Sequence, residues 1–107
     1  VFHGSFTEEA GRTAFEKLYA QGCDGFFVEN DRMAKGVLAA AKEKGIPIGE
    51  DCKFAVYDYE GTETVISVRQ NLSLMAEKAV DRLIERIEEP EKLMPAGNFY
   101  ITPIVEN

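Results

Sequence analysis

Residues 24–36 read Asp24-Gly25-Phe26-Phe27-Val28-Glu29-Asn30-Asp31-Arg32-Met33-Ala34-Lys35-Gly36. The run from Gly25 to Val28 shows no apolar–polar alternation, which suits a strand covered on both faces, as in a parallel sheet. Directly after it, Asn30 and Asp31 offer side-chain oxygens able to satisfy the first free amides of a helix. Met33, Ala34, Val37, Leu38 and Ala41 then fall on one stripe. Gly45, with Pro47 two residues on, marks the stop near Lys44. A buried strand leading through a capped turn into a helix is the repeating unit of α/β proteins.

Working outward, Ser5-Phe6-Thr7-Glu8 has the spacing of a capping box, so a helix is expected from Ser5 to Gln21. Its inner stripe is Ala10, Ala14 and Leu18 with Phe15 and Tyr19 beside them, and Gly22 is placed to end it. Lys53 to Tyr57 reads as a second buried strand, and Thr64 to Val68, rich in β-branched residues, as a third. Asn71 is set to cap a long helix from Leu72 to Glu88, whose stripe is Leu72, Met75, Ala76, Ala79, Val80, Leu83, Ile84 and Ile87. Pro90 and Pro95 punctuate its exit, and Phe99-Tyr100-Ile101 reads as a closing strand. The expected architecture is α/β, three-layer, around a mostly parallel sheet. There is no internal repeat and no low-complexity tract.

A length of 107 residues fits one domain or a piece of one, and 45% apolar with 29% charged residues is the composition of a folded globular chain. The net charge of −7, from 12 basic and 19 acidic residues, argues against direct nucleic-acid contact. An acidic surface repels phosphates, and no cluster of Lys and Arg offsets it. No apolar run approaches the roughly 20 residues needed to cross a bilayer, so no membrane partner is expected, and no signal peptide is recognisable. Cys23 and Cys52, far apart and without CxxC spacing, read as two buried free thiols in a reducing, cytoplasmic compartment.

Chemistry beyond binding finds little support. His3 is the only histidine, and Ser5 is too close along the chain to be its partnered nucleophile. Glu8-Glu9 and Glu88-Glu89 are adjacent pairs, which do not face a common point on a helix and make poor acid/base partners. Without a glycine-rich phosphate loop, zinc spacing or a nucleophile elbow, no catalytic residue, metal ligand or cofactor is assigned. Asn30 and Asp58 stand out instead. Both lie just past the carboxyl ends of expected parallel strands, where open α/β sheets bind ligands. An asparagine offers donor and acceptor together, and an ionised aspartate accepts from two hydroxyls. The plainer alternatives are a helix cap for Asn30 and a solvated turn for Asp58.

Three stretches, in order, resemble the lactose-repressor/galactose-repressor family of transcriptional regulators. Asp24 to Gly36 looks like its strand followed by "ND-x-MA-x-G". Lys44-Gly45-Ile46-Pro47, Glu50-Asp51 and the strand ending Tyr57-Asp58 look like its "G-(I/L)-x-(V/I)-P-x-D … G-(F/Y)-D-D" run. Ser67-Val68-Arg69-Gln70 with Met75-Ala76 and Ala79-Val80 looks like its "T-T-V-x-Q … M-(G/A) … A" segment. There are departures: Val56 stands where a glycine is usual, Tyr59 where the second Asp of the pair is, and the loop from Asp58 to Val65 is short.

The resemblance implies part of a periplasmic-binding-protein-like lobe. Residues 1–70 would form the C-terminal lobe of an effector-binding domain, 71–95 a crossover helix belonging to the other lobe, and 96–107 a returning strand and tail. A small-molecule effector, expected to be a sugar, would bind between lobes at Asn30 and Asp58. Phe6 would stack on the ring, with a hydrophobic staple of the first helix as its alternative, and Gln70 would act at the crossover as ligand or hinge. The helix after Asn30 would contribute Ala34, Val37, Leu38 and Ala41 to a homodimer, against the alternative of packing on its own sheet. Operator DNA would be read only by an N-terminal helix-turn-helix outside these residues. A solute-binding component of a sugar ABC transporter, which shares the fold, is the competing reading; an enzyme is a distant third.

Overall fold

Thr7, not Ser5, caps the first helix, α1 (Glu8–Ala20). Its hydroxyl accepts from the Ala10 amide at 3.1 Å, while Ser5 Oγ lies 3.3 Å from Thr7 Oγ1 outside the helix. The capping box is therefore not formed, because the residue three beyond Thr7 is Ala10 and carries no side-chain acceptor. The computed structural model describes residues 1–92 and 99–107, so the expected part of Pro95 in ending the last helix lies outside the described residues. Glycines end the first two helices as expected. Gly22, at φ 86°, donates to Tyr19 O while Cys23 donates to Leu18 O. Gly45, at φ 68°, and Ile46 repeat that pairing with Lys42 O and Ala41 O at the end of α2 (Asp31–Glu43). These are Schellman endings, which require a left-handed residue that glycine supplies without steric cost.

The chain divides into two compact units, Val1–Arg69 with Val105–Asn107, and Gln70–Ile104. In the first, β1 (Gly25–Val28), β2 (Lys53–Tyr57) and β3 (Ile66–Arg69) pair in parallel, and β4 (Ile104–Glu106) completes the sheet order β1-β2-β3-β4. The register sets Phe26 against Phe54 and Val28 against Val56, with Val56 against Ser67 on the next strand. Those residues share one face, and α1 and α2 cover it. Phe15 of α1 lies 5.2 Å from the Phe26 ring and 6.1 Å from Phe54, within one core that includes Val37, Leu38, Ala40 and Ala41 of α2. The mostly parallel α/β sheet is as expected. Both helices take the same face, so neither supplies a third layer over Phe27 and Ile66, which remain exposed on the other face.

Two glycines let α1 and α2 meet backbone to backbone. A Cβ on Gly11 would fall 2.1 Å from Met33 O, and one on Gly36 would fall 1.8 Å from Glu8 O. No side chain fits in either place. At the rim Arg12 closes the pair with two hydrogen bonds to Glu43, at 2.5 and 2.8 Å.

In the second unit Asn71 caps α3 (Leu72–Glu88), accepting from Leu74 N at 3.2 Å. The expected stripe forms, but no residue of α3 is buried; Leu83 is 59% and Ile87 69% exposed. The closing strand differs from expectation. Phe99-Tyr100-Ile101 is not a strand, and the sheet takes Ile104–Glu106 instead. Pro103 has no amide to give a ladder, so pairing starts beyond it.

Candidate functional site

The carboxyl ends of β1 and β2 carry the two polar residues singled out from sequence. Val28 and Val56 are partners across the strands. Asn30 and Asp58 each follow by two residues, so the register sets them at equivalent positions on neighbouring strand ends. Asn30 is extended, at φ −159°, and its Oδ1 accepts from Met33 N at 2.9 Å. The cap occupies the side-chain oxygen, which leaves the side-chain amide as what Asn30 can offer a ligand.

Asp58 is the one non-glycine residue with positive φ among the described residues, at 54°. That region costs most side chains about 1–2 kcal/mol, and aspartate tolerates it better than most. Its amide donates to Val68 O at 2.8 Å, fastening the turn to β3. The left-handed step reverses the chain leaving β2, so that Asp58 is half-buried and Tyr59 enters the core at 7% exposure.

Tyr59 is the residue that sequence reasoning missed as a contributor, having registered it only as a departure from the family pattern. Its hydroxyl donates to Glu63, its carbonyl accepts from Ser67 Oγ at 3.4 Å, and Lys42 of α2 reaches Glu63 at 3.5 Å. Burial pushes the Tyr59 phenol well above its ordinary range, helped by the hydrogen bond to Glu63. The same bond holds the Glu63 carboxyl below its ordinary value, with Lys42 adding to it. The preceding turn is tied to the start of α2 as well, since Glu60 N donates to Asp31 Oδ1 at 3.4 Å. An aromatic residue directly after a strand-end aspartate was the only signal of this in the sequence.

Phe6 directly precedes the Thr7 cap and is 65% exposed. A hydrophobic staple would need a side chain at the fourth helical position, which is Gly11, so that alternative is ruled out. Residues 1–5, ahead of Phe6, form no strand. The glycine contacts join the first turns of α1 and α2, which brings Phe6 and Asn30 to the same end of the helix pair. Gln70 opens the second unit, half-buried, immediately before the Asn71 cap. Phe6, Asn30 and Asp58 thus share one unit, and Gln70 is not part of it.

The expected dimer residues are placed otherwise. Ala34, Val37, Leu38 and Ala41 are 0–3% exposed within the chain itself, packed against α1 and the sheet. Side chains already inside one core cannot also face a second copy, so the expectation for those four is corrected to intrachain packing. Both cysteines are free; Cys52 is buried as expected, but Cys23 is only partly so. Cavities of about 400 and 430 Å³ flank Tyr59, and one of about 470 Å³ lies beside Phe2, Phe15 and Phe27; neither Asn30 nor Asp58 lines any of the three. Among the described residues no group of three His, Cys, Asp or Glu could hold a metal ion, and no helix is long and apolar enough to cross a membrane.

A parallel sheet bearing polar residues at its carboxyl edge is an arrangement that suits ligand binding. The family described as periplasmic binding protein-like domain matches residues 1–102, and the chain belongs to that family. Its curated relatives are transcriptional regulators. An uncharacterized HTH-type transcriptional regulator from Streptomyces limosus is 34% identical over 77% of this chain and 25% of its own length. The HTH-type transcriptional repressor PurR of Pasteurella multocida is 33% identical over 83% of this chain and 29% of its own. The chain thus spans under a third of the length of these relatives. Among solved structures, a putative LacI-family repressor from Corynebacterium glutamicum superposes with a TM-score of 0.84 at 22% identity, covering all of this chain and 43% of that one. A LacI-family regulator from Enterococcus faecium with bound ribose gives 0.78 at 22%, covering 96% and 40%. The resemblance read from the three motifs is therefore sound: the sequence aligns with LacI/PurR-type regulators in their periplasmic-binding-protein-like part.

Proposed function

We propose that this chain forms one wall of the effector site of a bacterial transcriptional regulator, with a sugar as the effector and Asn30, Asp58 and Phe6 facing it. The observation that carries the reading is the placement of Asn30 and Asp58 at equivalent positions past the carboxyl ends of β1 and β2, with the exposed Phe6 at the same end of the helix pair as Asn30. A carboxylate accepts from sugar hydroxyls, an amide donates to a ring or hydroxyl oxygen, and an aromatic face covers the apolar side of a pyranose or furanose. The ribose held by a related regulator supports that ligand class. Gln70, at the junction of the two units, serves the site as ligand or hinge. The protein acts in the cytoplasm as a homodimer, through a surface other than Ala34, Val37, Leu38 and Ala41, and a helix-turn-helix outside these residues reads operator DNA. The effector acts by binding one of two lobe arrangements more tightly than the other. The regulator relatives favour this over a transporter's solute-binding component. No residue here is assigned catalysis.

Substitution tests the assignment. In the full-length protein that carries this chain, Asp58→Ala should abolish the response to effector in a reporter assay while operator affinity stays at the parental value. A variant that still responds at normal effector concentrations would remove Asp58 from the site.

A further inference from the structure

The loop from Asp58 to Val65 is short, yet it is fastened by four hydrogen bonds. Tyr59 buries its ring in the core and gives its hydroxyl to Glu63, closing a ring of residues around Gly61, where a Cβ would collide with the Tyr59 side chain. Ser67 Oγ holds the Tyr59 carbonyl from β3. On the opposite side, Asp31 holds Glu60 N and Lys42 reaches Glu63, so both ends of α2 grip the same loop. The residue at the head of this arrangement is Asp58, in its left-handed conformation. Such a conformation persists only when its surroundings over-determine it.

We infer that Tyr59, through its hydrogen bond to Glu63, is a positioning residue that holds Asp58 beside Asn30 and so sets the geometry with which the strand ends meet a ligand. The inference rests on the reading of Asp58 and Asn30 as ligand-facing. It adds a residue with no ligand contact of its own. Tyr59 pulls the chain inward immediately after Asp58, which fixes the backbone turn. The Glu60–Asp31 bond ties that turn to the residue after Asn30, so the two polar side chains are held relative to each other and not merely each to its own strand. A preorganised pair of this kind loses less freedom on binding than two mobile side chains would.

The test uses the full-length protein as wild type, Tyr59→Phe, Glu63→Gln and the double variant, with Thr62→Ala as a control in the same loop. Hydrogen exchange is followed across residues 57–66, and calorimetry measures affinity for ribose and for cellobiose. Tyr59→Phe keeps the buried ring, and Glu63→Gln leaves the core untouched, so the second variant decides the matter should the first fail to fold. A hydrogen bond to a charged group is worth enough that each single variant should speed exchange in 58–65 by about tenfold and weaken sugar binding by a similar factor. The double variant should be no worse than either single one, and Thr62→Ala should change neither quantity. Unchanged exchange in both single variants would overturn the inference, as would faster exchange with undiminished affinity. Should the wild type bind neither sugar, the sugar assignment fails on its own, and the exchange rates alone then uphold or overturn the latch.

Discussion

Helices α2 and α3 begin alike and end up in opposite conditions. Each is capped by an asparagine whose Oδ1 accepts from an amide three residues on, and each carries an apolar stripe. α2 buries Ala34, Gly36, Val37, Leu38, Ala40 and Ala41, whereas α3 buries nothing. Local chemistry decides that a helix forms and which face is apolar. What covers that face is settled by residues elsewhere in the chain. For α2 the cover is α1 and a sheet made within the same unit. For α3, among the described residues, no such cover is built, and a row containing Leu72, Val80, Leu83 and Ile87 stays in water.

The contrast can be broken most sharply by truncating one leucine in each helix. Leu38→Ala removes a side chain buried to 3% exposure and should cost about 2–5 kcal/mol in urea unfolding. Leu83→Ala, at 59% exposure, should shift the same curve by under about 0.5 kcal/mol. Equal losses would mean that α3 is as well packed as α2. A second experiment asks whether the exposed stripe finds a partner in another copy. The isolated chain should sediment at twice 11.9 kDa or more at micromolar concentration, because large apolar faces left in water favour association. Glutamine at Leu83 and Ile87 together should return it to the monomer mass. A clean monomer for the unaltered chain would show that the stripe needs no cover.

The smallest expected effect concerns acid. Glu63 is held below its ordinary carboxyl value by Tyr59 and Lys42 in the unit that contains α2. A carboxyl depressed in the folded state adds stability at neutral pH, and that share is lost as pH falls below the unfolded value of 4.5 towards the lower folded one. Stability should therefore decline from about pH 5 downward, and Glu63→Gln should flatten that decline without altering the plateau's width at higher pH. A profile identical in the two proteins would mean the bond does not survive in solution.

Much of this was readable in advance. The strand at Gly25–Val28, though not its expected cover on both faces, the Asn30 and Asn71 caps, and Gly22 and Gly45 all act through neighbours within a few residues, so sequence spacing suffices to place them. Errors arose where two local solutions compete or where the deciding partner is remote. Ser5 and Thr7 are both hydroxyls able to cap, and only the path of the chain into α1 selects Thr7. Phe99 to Ile101 has the composition of a strand, but the sheet selects Ile104 to Glu106. The stripe of Ala34, Val37, Leu38 and Ala41 was legible as apolar, while its owner, another helix of the same chain and not a second copy, was not. The position of Asn30 and Asp58, two residues past paired strand positions, could be read from the sequence. The left-handed turn at Asp58 and the hydrogen bonds around Tyr59 could not, because the loop is held by Ser67 of β3 and by Asp31 and Lys42 of α2, which arrive from other elements.

The glycine contacts between α1 and α2 have a mechanical consequence. Where side chains interlock, helices can slide by exchanging rotamers; where carbonyl oxygens rest against bare α-carbons, there are no rotamers to exchange. Gly11 and Gly36 therefore act as a weld between the opening turns of the two helices, just behind Phe6 and Asn30. A load on either opening turn is therefore shared by both helices, which run on from that contact to Ala20 and Glu43.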